Sequence, residues 1–358
     1  MNCSREPRSD LSEMDAQPNV LGFRTGRKYA ITWCKKAENY SDVKALECYD
    51  EAIKRDPEFA EPWYGKGKIF ADAQEMPQSY WWAHRISPYI TGRPAPEGTD
   101  EGQPADKYVE TLKCFDKATE LDPKFVNAWF AKGDFYDGYV NGAAEAIKCF
   151  DKAIALDPKF ESAWFGKARV LTRLGKHEEA LKCCDKAIAL LPADAKDHDR
   201  DDNGYFIADR WCRKADALTA LGRDKEALKC YDEAIEMKHS MRKGYALGQK
   251  GITLAKLGKH KEALKCYDEA TNKDSYRWSG LDPVEMDLAK ADALSELGGP
   301  QERMLKCYSD AISRCTDKLV DGKRNPVEED LWEKEVKKLQ EICSQAINGL
   351  KKYYDYQD

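Results

Sequence analysis

The sequence of 358 residues contains no long apolar run. Its first stretch, MNCSREPRSDLSEMDAQPN, lacks the apolar core that a signal peptide requires, and no later stretch has the length of a membrane span. A surplus of one charge is missing too, since 58 Lys and Arg residues stand against 64 Asp and Glu residues and the two signs alternate. We therefore expect a cytoplasmic protein that binds neither membranes nor nucleic acid.

Motifs for metal binding and catalysis are also missing. The sequence has no Cys-x-x-Cys pair, although structural zinc sites are commonly built from such pairs. No glycines are spaced as in a loop that cradles phosphate, the five histidines are scattered, and no serine or cysteine lies in a nucleophile motif. We therefore predict that the chain is not an enzyme and that it uses no cofactor and no metal.

What the sequence does contain is a repeated stretch of nine residues. EALKCYDEA occurs at Glu226–Ala234 and again at Glu262–Ala270, and similar stretches surround five further cysteines. The gaps between these seven cysteines are 66, 35, 34, 47, 36 and 41 residues, so one unit of about 34 residues recurs with insertions. Self-similarity at this period predicts a solenoid, in which each unit buries its apolar face against its neighbours. The seven cysteines are Cys48, Cys114, Cys149, Cys183, Cys230, Cys266 and Cys307.

Each unit is predicted to form two helices. Between Trp164 and Pro192, apolar residues recur at helical spacing on both sides of a break at Gly175. Proline ends the unit because it cannot continue a helix. Equivalent cysteines of successive units lie at least one helix-packing interval apart, about 8–10 Å, which is too far for a disulfide. We therefore predict that the repeated cysteine is a small buried hydrophobe in a reducing compartment, not a disulfide or metal ligand.

The repeat resembles the tetratricopeptide repeat (TPR) family. In that family the first helix has Trp, a small residue four positions later and a large residue three positions after that, and the second helix has Ala, an aromatic residue and Ala at the same spacing. Matching triplets in this sequence include Trp63-Gly67-Phe70, Trp129-Gly133-Tyr136 and Ala227-Tyr231-Ala234. The small residue is expected because neighbouring helices approach closely there.

The resemblance implies an all-α fold, a right-handed α-solenoid of about seven helix-turn-helix repeats with a C-terminal capping helix. We expect a polar, disordered tail over residues 1–20 and the repeat array over residues 21–316, with insertions near 76–107 and 193–206. Residues 317–358 are expected to form a linker and the capping helix. We expect a monomer, because Cys and Ala in the last helix are weak residues for a coiled-coil seam.

The resemblance also implies a protein-interaction scaffold, because TPR proteins bind peptides along a groove lined by the first helices. Carried over to this sequence, the groove holds three aromatic rings that are expected to project toward a ligand, together with polar neighbours. The rings are Tyr64, Phe130 and Phe165, and the neighbours are Lys68, Asn127, Asp134, Arg169 and Arg213. We predict an accessory partner site at Trp81 and Trp82, because adjacent tryptophans are rarely left in water.

One departure from the family recurs in six units, where Lys stands in place of the Leu that normally precedes the small residue. A lysine can bury its methylene groups and keep its ammonium group in water, so the fold tolerates the change. We predict ion pairs with acids of the second helices. The lysines are Lys66, Lys132, Lys167, Lys214, Lys250 and Lys290, and the acids include Asp116, Asp151, Asp232 and Asp268.

Two alternative functions stay open. Asp199, Asp201 and Asn203 match the start of a calcium loop, which would make the chain a calcium-responsive regulatory module, although Arg210 occupies the position of the late acidic ligand. The chain could also be a co-chaperone. The Lys and Asn residues with which one TPR subclass grips a chaperone's C-terminal carboxylate have no counterparts at the corresponding positions here, which include Ala131 and Ser162.

Overall fold

The computed structural model describes residues 24–40, 43–73, 104–138, 142–192, 207–237, 242–271, 283–299 and 301–322, and four residues beyond them, Lys337, Glu341, Ser344 and Ile347. The described residues form fourteen α-helices and no β-strand. In chain order the helices are α1 (Arg24–Ala37), α2 (Val43–Arg55), α3 (Ala60–Ala73), α4 (Pro104–Leu121), α5 (Val126–Asp137), α6 (Ala143–Leu156), α7 (Glu161–Arg173), α8 (His177–Ala189), α9 (Ala208–Ala220), α10 (Asp224–Glu236), α11 (Lys243–Lys256), α12 (His260–Ala270), α13 (Pro283–Glu296) and α14 (Gln301–Gly322).

The helices form consecutive pairs, each with a first and a second helix, as the repeat predicts. They belong to two compact units: the first contains α1–α4 and the start of α5 up to Ala128, and the second contains the rest of α5 from Trp129 and α6–α14. Within each unit, the two helices of a pair pack on each other, and the second helix also packs on the first helix of the next pair. This arrangement confirms the all-α fold of stacked helical repeats.

Glycine defines the turn inside a pair. Gly175, Gly222 and Gly258 have φ of 72°, 74° and 74°, a left-handed conformation that is unfavourable for residues with a Cβ atom. After Gly175, the backbone N–H of Lys176 donates to the carbonyl of Leu171 at 2.9 Å, which is the hydrogen bond of a Schellman motif. The same bond follows Gly222 and Gly258. The Leu-Gly dipeptide therefore ends each of these first helices and starts the turn.

Tryptophan and proline act together at the turn between pairs. The indole N–H of Trp63 donates to the carbonyl of Pro57 at 3.2 Å, and Trp164 makes the same bond to Pro158 at 3.0 Å. Asp157 accepts the backbone N–H of Lys159 at 2.9 Å, which closes the turn locally. The Asp-Pro dipeptide and the following Trp thus form one connected structure, which explains why they recur together.

In α3, α5 and α11, the small residue of the first helix is a glycine that lies against an aromatic ring of a second helix. A Cβ atom added at Gly133 would lie 2.9 Å from the ring of Phe150, and one added at Gly251 would lie 2.4 Å from the ring of Tyr267. Both distances are shorter than carbon atoms tolerate, so the predicted close approach of the helices is confirmed.

The repeated cysteines are free thiols, and all but the half-buried Cys307 are buried. Burial raises the pKa of Cys114 and of Cys183 to about 11 in each case. No group of His, Cys, Asp or Glu within the described part of the chain could hold a metal ion. These cysteines therefore act as small apolar residues of the core, as the sequence predicts.

Thiol alkylation tests this packing. At pH 8, iodoacetamide should leave Cys114 and Cys183 unmodified in the folded protein, because the reactive thiolate is scarce three units below its pKa and the sulfur is inaccessible. Peptide mapping by mass spectrometry measures the outcome, and protein alkylated in denaturant is the control. Equal modification of folded and denatured protein would show that these thiols are not in the core.

Candidate functional site

Within each unit, the candidate site is the face formed by the first helices, which we call the first-helix face of that unit. We call the position that the family's Trp takes in a first helix the Trp slot. The fifth residue after the Trp slot places one residue of each repeat from α3 onward on such a face. In the described chain this position holds Lys68, Asp134, Arg169, Asp216, Ile252 and Asp292. Both units contribute to the set, and each is described by itself.

In the first unit, the predicted residues lie close to one another. The ring of Tyr64 is half-buried and meets the ring of Phe125 edge to face, with centroids 5.0 Å apart. Lys68 is exposed, and its ammonium nitrogen lies 5.8 Å from the centroid of Tyr64. Asn127 is exposed as well. These three side chains can meet a ligand, as the sequence suggests.

In the second unit, the two predicted aromatic anchors are buried. Phe165 is 0% exposed, and the guanidinium carbon of Arg210 lies 4.1 Å from its ring centroid. Phe130 is 5% exposed and packs against Phe150 and Phe160, with ring centroids 5.9 Å and 5.3 Å away. The expectation that both rings project openly toward a ligand is therefore wrong, because Arg210 covers one ring and neighbouring rings enclose the other.

Arg210 joins two first helices through a buried ion pair. Its Nε and Nη2 atoms donate to the two carboxylate oxygens of Glu161 at 2.7 Å and 2.9 Å. Arg210 is fully buried, and the side chain of Glu161 is only 13% exposed. Since Glu161 lies on α7 and Arg210 on α9, this bidentate pair fixes one repeat against the next.

A second set of pairs joins α5 to α7. Arg169 donates from Nη2 to Asp134 at 2.8 Å and also pairs with Asp137, which is buried. Arg173 pairs with Asp137 at 2.7 Å and donates a further hydrogen bond to its carbonyl oxygen. Arg169 is 8% exposed. Two predicted groove residues, Asp134 and Arg169, thus bind each other.

A third pair joins α9 to Arg242, the residue that precedes α11. The Nε atom of Arg242 lies 2.6 Å from a carboxylate oxygen of Asp209, and both side chains are 13% exposed. Beside it, Asp216 accepts hydrogen bonds from the hydroxyls of Tyr231 and Tyr245, at 2.9 Å each. Burial raises the pKa of Asp216, while Arg213 and the two hydroxyls act in the opposite direction.

The three sets are arranged in the same order along the chain, because the carboxylate belongs to the earlier repeat and the arginine to the later one. We call them the inter-repeat arginine pairs: Asp134 and Asp137 with Arg169 and Arg173, Glu161 with Arg210, and Asp209 with Arg242. Because they are mostly buried and hydrogen-bonded, they hold the first helices of the second unit in a fixed arrangement.

The predicted lysine row lies on another part of the repeats and forms ion pairs as expected. Five of its lysines contact an aspartate of the preceding second helix, and the aspartates include the predicted Asp151, Asp232 and Asp268. The pairs are Lys66–Asp50 at 2.6 Å, Lys167–Asp151 at 2.6 Å, Lys214–Asp185 at 2.7 Å, Lys250–Asp232 at 2.5 Å and Lys290–Asp268 at 3.3 Å.

Comparisons with known proteins agree with this geometry. A tetratricopeptide repeat family model matches residues 44–79 and 138–195, and a second model of the same description matches residues 208–239 and 245–272. This chain is a tetratricopeptide repeat protein. Proteins of the TPR family generally mediate protein–protein interactions. A general role in protein–protein interaction therefore follows from membership of this family. No curated protein sequence matches the chain significantly.

Solved TPR-like structures resemble it at low sequence identity. PilF of Pseudomonas aeruginosa is 11% identical, with 71% of this chain and 98% of that chain covered and a TM-score of 0.50. YrrB, described as a TPR protein with an unusual peptide-binding site, is 21% identical, with 60% and 100% covered and a TM-score of 0.44. The likeness to PilF shows the fold alone.

Some predicted site residues lie outside the described part of this TPR chain. Trp81 and Trp82 are among them, and so is the stretch from Asp199 to Asn203 of the calcium alternative. Arg210, at the late position of that predicted loop, is bound to Glu161. Within the described ranges, no helix is long and apolar enough to cross a membrane.

One accessible residue on the first-helix face of the second unit was not predicted from the sequence. Ile252 is 42% exposed, although it is a large apolar side chain. It lies on α11 at the position that holds Asp216 on α9, and Gln249, one turn before it, is partly exposed. The sequence does contain an indication of this position, because Ile252 lies five residues after the Trp slot. The slot is hard to recognise in this repeat because Leu247 replaces the Trp.

Proposed function

We propose that this TPR protein is a non-enzymatic scaffold that binds a peptide or protein partner on its first-helix face. The observation that carries the proposal is the set of inter-repeat arginine pairs. Because buried ion pairs hold the first helices of the second unit together, this face is formed before any partner arrives, and binding needs little ordering of the protein. A preformed face of this kind suits a peptide ligand.

The accessible residues of the second unit favour a partner of mixed character. Ile252 offers an apolar contact, and the partly exposed Arg213 and Gln249 offer donors at the same position of successive repeats. We propose that the partner presents an apolar side chain next to acidic or polar groups. The cytoplasm is the compartment that we propose, because buried free thiols persist in a reducing environment.

A partner captured from native cell extract and narrowed to one peptide allows a direct test by calorimetric titration. Ile252→Ser should weaken the binding of that peptide roughly tenfold or more, because the few central residues that carry most of the binding energy of an interface cost about 2 kcal/mol or more when truncated. The matched control is Leu174→Ser, which removes an apolar side chain that is 47% exposed in a turn. Unchanged affinity for Ile252→Ser, or an equal loss for Leu174→Ser, would contradict the proposal.

A further inference from the structure

The first helix of the first unit has an unusual charge. The sequence of α1, RTGRKYAITWCKKA, contains five basic residues and no acidic residue, although the whole chain carries a net charge of −6. The helix packs on α2 and α3 through a stripe that contains Ala30, Cys34 and Ala37, all buried. One side of α1 is therefore fixed by the core of the first unit.

The opposite side of α1 is exposed and consists of Lys28, Ile31, Thr32 and Lys35. We call it the Lys28–Lys35 face. Its spacing of three, one and three residues places all four side chains on one stripe of a helix. Ile31 is 38% exposed, which is high for a large apolar residue. The face thus has an apolar centre between two lysines about 10 Å apart along the helix axis.

Two other cations of α1 are already engaged, whereas the lysines of this face form no ion pair in the described part of the chain. Arg27 pairs with Asp56, and Lys36 lies 4.4 Å from the ring centroid of Trp33. Lys28 and Lys35 form no ion pair within the described residues, and Glu38, the nearest acid after Lys35, forms none with it. Both ammonium groups are therefore available to carboxylates of a partner.

We propose that the Lys28–Lys35 face binds an acidic protein segment with one apolar side chain flanked by carboxylates about two helical turns apart. Charge complementarity supports this partner, since two lysines that form no ion pair among the described residues flank an exposed Ile. A nucleic acid or an anionic membrane fits less well, because the rest of the chain is net negative and repels an extended polyanion. A single apolar side chain also gives little insertion into lipid. This surface lies on the first helix of the first unit, and the proposal does not depend on the function proposed for the second unit.

A designed peptide provides the probe. It is a fluorescein-labelled helical peptide in which Leu follows one Glu by three residues and precedes another Glu by four, so that it mirrors Lys28, Ile31 and Lys35. Fluorescence anisotropy with the full chain should show binding that weakens at high salt, because the contacts are exposed charges. The double variant Lys28→Glu with Lys35→Glu should bind roughly tenfold or more weakly, and Ile31→Ser should also bind more weakly.

The matched control is Lys182→Glu with Lys229→Glu, which makes the same charge change at exposed lysines of α8 and α10. This control and Ile252→Ser should leave probe binding unchanged, so the outcome does not depend on the site proposed in the second unit. The proposal would be overturned if the control lost as much probe binding as the Lys28→Glu, Lys35→Glu variant, or if the probe did not bind the wild type at all. So would binding of phosphatidylserine vesicles in place of the probe, or a dimer that sediments in the wild type and dissociates in the Lys28→Glu, Lys35→Glu variant.

Discussion

Replacing Arg210 by Ala should lower the free energy of unfolding by about 3–5 kcal/mol. The arginine is fully buried and donates two hydrogen bonds to Glu161, so its loss leaves a largely buried carboxylate without its partner. It also uncovers the ring of Phe165, over which the guanidinium lies at 4.1 Å. Urea denaturation followed by circular dichroism measures the change.

Arg223 provides the control, because it makes a bidentate pair of the same geometry on the surface. Its Nε and Nη2 atoms bond to Glu226 at 2.7 Å each, and both side chains are exposed. Solvent weakens such pairs, so Arg223→Ala should leave the denaturation midpoint almost unchanged. If the two substitutions had similar effects, burial of the Arg210 pair would not stabilise the contact between repeats.

Phe165→Ala should cost about 3–5 kcal/mol of stability, because it opens a cavity in a closely packed core. The ring has no exposed surface, so the loss should appear in the thermal midpoint even when no partner is present. Phe165→Leu, which keeps more of the volume, should cost clearly less. Tyr40→Ala is the control for an aromatic residue that is 39% exposed, and it should change the midpoint little.

The same experiment separates the observed packing from the expectation drawn from the sequence. If Phe165→Ala melted like the wild type but lost its captured peptide, the ring would be a ligand anchor in the groove. We expect instead that Phe165→Ala lowers the thermal midpoint, and that any loss of peptide binding results from this loss of stability.

The repeat made the fold predictable, because every feature that stabilises one unit recurs at a fixed spacing. Small residues occur where two helices meet, glycine occurs where φ is positive, and each paired lysine lies 16 to 29 residues from its aspartate, within neighbouring helices. These features depend on local sequence, and the period shows which residues share a position. The burial of the repeated cysteines in the second helices was predictable for the same reason.

The details of the candidate site were not predictable because they depend on departures from the period. Arg210 occupies the position before the Trp slot, where three other repeats have Ala, and it reaches Glu161 across 49 residues that include an insertion. Its effect on Phe165 arises only when the two repeats stack. A large residue in a small-residue position was the available signal. The small residues at that position are Ala128, Ala163 and Ala246.

Photo-crosslinking tests the central claim most directly, namely that the partner binds the first-helix face of the second unit. A photoreactive benzoylphenylalanine placed at Gln249 lies on that face, whereas one placed at Lys229 lies on the exposed side of a second helix. With the captured peptide bound, irradiation should yield a covalent adduct from position 249 and none from position 229. An adduct from position 229 with none from position 249 would contradict the account.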